Sequence, residues 1–249
     1  MQHTCKNCSH KFKDKFCGFC GQSANTYRMD MHSMWHDIQH GILHIDKGFF
    51  YTIYQLFSQP GHTIREFLEG KRIKHFKPIS LVFILAGVYA LLYHYFDIDI
   101  TTQNEGKNRE LTNFFNIINK WSEEHYSLDT LLKLPFLALS IFTAFKKMGY
   151  NYVETFIIAS YITAQELMLS IVLFPITYMS KGTQVEGCVV TVSLVLYLGI
   201  IFRTLFQFFN KYDKKIVFFR TALVVLINIV VIMIVYLLVL LTMWKLGIV

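Results

Sequence analysis

The chain has 249 residues, 53% of them hydrophobic and 16% charged, with a formal net charge of +7 at pH 7. Its apolar residues stand in blocks of bilayer length, a pattern that excludes a single soluble globular domain. The cations gather in the first 78 residues and in two short later loops, as they do where one face of a membrane protein meets anionic lipid. No Ser/His/Asp set, phosphate-binding loop or pair of soluble carboxylates is present, so the common hydrolytic and nucleotide chemistries have no carrier.

Residues 1–22 carry two CxxC pairs, Cys5-Lys-Asn-Cys8 and Cys17-Gly-Phe-Cys20, eight residues apart. Each pair supplies two thiolates from one tight knuckle, and the four together form a tetrahedral ligand set for one structural Zn2+. The spacer has room for a hairpin, with Phe12 and Phe16 as its core-like side chains. So small a module buries too little apolar surface to fold alone, so the metal is expected to supply most of its folding free energy. Four protein ligands close the coordination sphere, which points to a structural role for the metal. Lys6, Lys11, Lys13 and Lys15 surround the site, yet no base-reading helix or stacking platform accompanies them. A cytoplasmic protein partner is therefore favoured over nucleic acid. The first residues are polar with no apolar h-region, so the first membrane helix is expected to act as its own insertion signal. Thiolates persist in a reducing compartment, which places this end in the cytoplasm.

Residues 27–78 read as interfacial helices. His32, His36, His40 and His44 recur every fourth residue and share one helical face. Two of these imidazoles could share a second metal, or the row could sense pH. The favoured reading is an interfacial helix whose histidines face headgroups or a neighbouring helix. Phe49, Phe50, Ile53, Leu56 and Phe57 predict an amphipathic helix with an aromatic face, ended by Pro60-Gly61. Thr63-Ile-Arg-Glu66 predicts a capping box and Gly70 a helix stop. Lys71, Arg72, Lys74 and Lys77 then form a basic collar for anionic lipid headgroups, each contributing ~1 kcal/mol.

Residues 79–249 form the membrane bundle, with crossings expected at 79–96, 130–145, 152–179, 188–209 and 216–244. The second is the shortest and carries Lys133 and Pro135. Loop charges orient the bundle. Lys146 and Lys147, and later Lys211, Lys214, Lys215 and Arg220, flank connections on the ribbon's side, whereas residues 97–129 hold seven acids against three cations. The fold class is thus an all-α polytopic membrane protein with about five transmembrane helices, N-terminus in the cytoplasm and C-terminus outside, in an inner (cytoplasmic) membrane. Within it, Gln165-Glu166 falls near the midplane at ~1.5 Å per residue. A charge there costs at least ~2.5 kcal/mol and calls for a polar neighbour. Asn228 and Arg203 are the candidates. Two readings stay open, an ion or small-solute path and a helix-packing hydrogen bond.

The string His44-Ile-Asp-Lys-Gly-Phe-Phe50, followed by Gln59-Pro-Gly-His-Thr-Ile-Arg-Glu-Phe-Leu-Glu-Gly-Lys-Arg72 and the stretch to Pro78, resembles a bacterial family of polytopic membrane proteins. Its members join an N-terminal CxxC…CxxCG zinc ribbon to a membrane domain, and their motif reads "DKGF…PGxTIREFLEGKR". The resemblance covers about residues 1–95 and carries no assigned activity. In architecture alone, the chain is similar to the small accessory membrane proteins encoded beside RNA-targeting type VI CRISPR effectors. The sequence thus implies a non-enzymatic membrane protein whose ribbon couples a partner or signal to a helix bundle. A membrane-embedded histidine–metal enzyme and a phage-defence accessory are the alternatives, and the oligomeric state stays open.

Overall fold

The computed structural model describes residues 3–24, 26, 28, 29, 31, 48–96 and 109–246. His32, His36, His40 and His44 lie outside the described residues. The N-terminal module is a minimal hairpin in which β1 (His3–Thr4) runs antiparallel to β2 (Lys11–Phe12), with His3 opposite Phe12. Phe16 pairs with Ser23 in an isolated bridge. Phe12 is buried as expected, but Phe16 is 61% exposed and so is not a core residue. The cysteines themselves fill the space that a second aromatic would have needed.

Two short helices follow, α1 (Gly48–Ser58) and α2 (Pro60–Glu69). Pro60 opens α2 because the first turn needs no N–H from it. That early start removes the capping box expected at 63–66. Thr63 already lies inside the helix, where its hydroxyl donates to the Gln59 carbonyl at 2.9 Å. Gly70 closes α2 in the left-handed region at φ 101°. The aromatic face expected on α1 is split. Gly48, Thr52 and Leu56 are buried and Phe49 and Ile53 pack on the core, whereas Phe50 and Phe57 face outward.

The long helices are α3 (Pro78–Tyr95), α5 (Tyr126–Phe145), α6 (Tyr152–Ser180), α7 (Glu186–Phe208) and α8 (Lys214–Lys245), with an amphipathic α4 (Arg109–Glu124) before α5. All five are long and apolar enough to cross a membrane, as in a multi-pass membrane protein. The second begins four residues earlier than expected, at Tyr126, and continues through Pro135. The most apolar stretch of α6 is 61% buried, against 6% for α8. α6 is therefore the central strut, with α3, α5 and α7 packed on it, while α8 lies outside along α5 and α7.

The ribbon end of this bundle is closed by tight crossings. A Cβ on Gly61 would stand 2.2 Å from the Phe208 backbone nitrogen, so only glycine lets α2 cross the end of α7 here. Arg65 lies beside it and caps α7, donating to the carbonyls of Gln207 and Phe208 and to Asn210 Oδ1 at 2.9 Å. Phe145 and Phe209 stack face to face at 4.1 Å across the ends of α5 and α7.

Candidate functional site

The four cysteine sulfurs lie within 4.8 Å of one another. Cys5 and Cys20 are 3.5 Å apart, and Cys8 and Cys17 are 3.6 Å apart. These spacings are too long for disulfides but fit tetrahedral thiolates, whose sulfurs stand roughly 3.8 Å apart for metal–sulfur bonds of ~2.3 Å. The two knuckles are built alike. Cys5 N–H donates to His10 O and Ser9 N–H to Cys5 O, while Cys17 N–H donates to Gln22 O and Gly21 N–H to Cys17 O. Each turn needs a left-handed residue four places after its first cysteine, supplied by Gly21 at φ 77° and by Ser9 at φ 61°. Without a metal the four thiols share their protons unevenly. The His10 backbone pulls the Cys8 thiol down, but burial and the other three thiols push it up to about 12. Burial pushes the Cys20 thiol up, whereas the Gln22 backbone and Asn7 side chain bring it down to about 6. The set could hold a metal ion as thiolates.

The ribbon is bolted to the membrane domain at two points. Gln22, 3% exposed, donates to Gly70 O at 2.7 Å. Its Oε1 accepts from the backbone N–H groups of Arg72 and Ile73. One amide side chain thus satisfies three backbone groups of the collar. Lys6 adds a bond to Thr26 O. Farther along, Arg28 grips Glu154 with Nε and Nη2, both at 2.7 Å, and also reaches Gly149 O. Glu154 in turn completes the capping box of α6 with Asn151, whose side-chain amide donates to Met29 O at 3.0 Å. This box has a local sequence signal, Asn151-Tyr-Val-Glu154 ahead of an apolar run.

The basic collar turns largely inward. Lys71 pairs with Glu66 at 3.0 Å, and Arg72 lies over the Phe67 ring at 5.5 Å, whereas Lys74 is exposed. His75 is buried with Nε2 3.3 Å from Glu66 Oε2, and its Nδ1 has no partner among the described residues. Burial lowers the His75 pKa against the pull of Glu66. Glu66 is itself held below the usual carboxylate range, because Lys71, His62 and His75 together outweigh its desolvation. Thr52 Oγ accepts from Phe76 N–H at 2.7 Å, and Tyr161 donates to Phe76 O at 2.9 Å. The collar is thereby tied to α1 and α6.

Deep in the bundle, Glu166 and Asn228 line one cavity of about 210 Å³ with Tyr126, Asp129, Lys133 and Tyr197. The Glu166 carboxyl lies beside the Tyr197 hydroxyl, and Lys133 donates to Asp129 at 2.5 Å. The other two residues expected here belong elsewhere. Gln165 points to the neighbouring helix, where its Oε1 accepts from Thr204 at 3.2 Å. Arg203 caps α1 instead, donating to the carbonyls of Phe57 and Ser58 at 2.7 Å. Adjacent helical residues diverge by about 100°, so Gln165 and Glu166 could not share one site. Asp129 and Lys133 carried a readable signal, an i,i+4 ion pair at the start of a membrane helix. Tyr197 carried none.

Residues 46–90 match the family described as Protein of unknown function (DUF3667). That stretch holds α1, α2, the collar and most of α3, including Gly61 and Arg65 at the end of α7 and Gly70, on which the ribbon docks. No curated protein and no solved structure matches the chain.

Proposed function

We propose that this chain is a non-enzymatic inner-membrane protein in which a zinc-loaded cytoplasmic ribbon sets the state of a helix bundle holding an ion or small-solute site at Glu166. The observation that carries this reading is the double attachment of the ribbon, through Gln22 to the collar and through Arg28 to the cap of the central helix. A ribbon serving only as an inert cap would not need both. Zinc is favoured because all four ligands are thiolates at structural-site spacing. The ribbon lies in the cytoplasm, where a protein partner could compete for it, and the exposed Lys74 faces anionic headgroups.

The test uses the purified protein in liposomes. About one zinc per chain should co-purify and be lost on Cys17→Ser. Removing it should speed amide exchange across residues 70–76 and alter ion leak through the bundle, and Glu166→Gln should abolish that leak. Zinc loss that changes neither exchange nor leak would sink the coupling.

A further inference from the structure

The polar cavity has an apolar neighbour. Beside it runs an apolar groove of about 400 Å³ between α4, α5 and α8, walled by Ile117, Trp121, Leu132, Tyr236, Val239 and Met243. Groove and cavity share three lining residues, Asp129, Lys133 and Ile232. The Lys133–Asp129 pair therefore stands at the junction, with an apolar trough on one side and the Glu166 chamber on the other. On α8 the trough extends from Ile232 to Met243, about 16 Å at 1.5 Å per residue. An apolar trough that abuts a polar chamber matches an amphiphile, chain in one and head in the other, once the Lys133 and Asp129 side chains between them swing aside.

Charge selects the head. Lys133, the one cation lining the chamber, is ion-paired with Asp129, so its charge reaches Glu166 only in part. Among the described residues Glu166 has no ion pair, and its hydrogen-bonding neighbour is the uncharged Tyr197. The chamber's other polar groups, among them Asn228, Thr163 and Tyr126, are neutral. A carboxyl in this position is complemented by a donor or a cation, whereas an anionic head would meet it unfavourably. Resting on the reading of the Glu166 chamber as a ligand site, we infer that groove and cavity together bind a membrane amphiphile with a primary amine head, the ammonium at Glu166 and the alkyl chain along α8. In a bilayer the chain gains little by leaving lipid for protein, since both are apolar. Selectivity therefore resides in the head, and chain-matched alcohols and acids bind more weakly.

Trp121 lines the groove and reports on its occupant. In nanodiscs of a zwitterionic lipid, Trp35→Phe/Trp244→Phe protein leaves Trp121 as the sole indole, to be titrated with a doxyl-labelled long-chain primary amine. Quenching should saturate, with the chain-matched alcohol and carboxylate at least tenfold weaker. Glu166→Gln should weaken the amine by about tenfold or more, the loss of a hydrogen bond to a charged group. Val239→Phe fills the groove without touching the chamber and should weaken all three probes alike. Quenching that rises only in proportion to probe in the membrane overturns the inference, as does equal binding of amine and carboxylate. If amine binding fails while a Glu166-dependent leak persists, the amphiphile is wrong and the ligand site stands. If both fail, the chamber is packing alone.

Discussion

Single atoms decide several features at the ribbon end. Gly61 is the tightest, because any Cβ there meets the α7 backbone and not a movable side chain. Gly61→Ala should therefore lower the melting temperature in detergent by more than an exposed Gly→Ala change at Gly187, where a Cβ meets nothing. Overpacking of this kind costs about 1–3 kcal/mol or more. Ser9 accepts a left-handed conformation that costs a non-glycine residue roughly 1–2 kcal/mol, whereas its counterpart Gly21 takes the same turn freely. His75 gives the collar a pH dependence with a defined sign. Its folded pKa lies below the ordinary 6.5, so the unfolded chain binds the proton first and stability falls as pH drops through that value. Glu66, depressed from 4.5, adds a second loss at lower pH as its carboxylate is protonated. Thermal unfolding followed from pH 7.5 to 5 should show the first loss, and His75→Gln should flatten it. A His75→Gln profile that parallels the parent would show that burial of this ring does not govern the dependence.

At the scale of elements, the ribbon and its mooring form one unit. Gln22 makes three bonds to the collar, each of net value about 1 kcal/mol. Gln22→Ala should thus free the ribbon from residues 70–73 while leaving metal content unchanged, seen as faster exchange there with one zinc still bound. Metal loss in that variant would mean that docking, and not the thiolates, holds the site together. How far the elements were legible follows from what makes each signal local. The cysteine knuckles, the five apolar blocks, Pro60 and Gly70 act through their own neighbourhood and could be read directly. On α1 the expected positions Phe49, Ile53 and Leu56 do pack inward, but Phe50 and Phe57, apolar enough to suggest burial, face outward, and packing against α2 and the collar buries Thr52 in their place. Arg203 is one of two candidate neighbours of Glu166 by sequence, since both lie in apolar blocks. Its actual partner, the open carbonyl end of α1, is set by a tertiary crossing that no spacing encodes. Tyr197 was missed for the same reason.

Across the whole molecule the helices are unequal. α6 is enclosed, whereas α8 exposes most of its surface, including Met233 and Leu237, to whatever surrounds the bundle. The far end of α7 begins near Cys188, which is exposed, and the ribbon cysteines sit at the opposite end. With the ribbon in the cytoplasm, an impermeant maleimide added to intact spheroplasts should label Cys188 and spare Cys5, Cys8, Cys17 and Cys20. Labelling confined to inverted vesicles would reverse the orientation. The two moorings of the ribbon also differ in kind. Gln22 and Arg28 are six residues apart, a stretch that spans at most about 20 Å when extended. A ribbon that lets go of the collar stays leashed to the cap of the central helix, in a volume where its effective concentration is on the order of millimolar. Release is thus a swing on a short radius, reversible without a search, and a competing partner need only outbid a neighbour that never leaves.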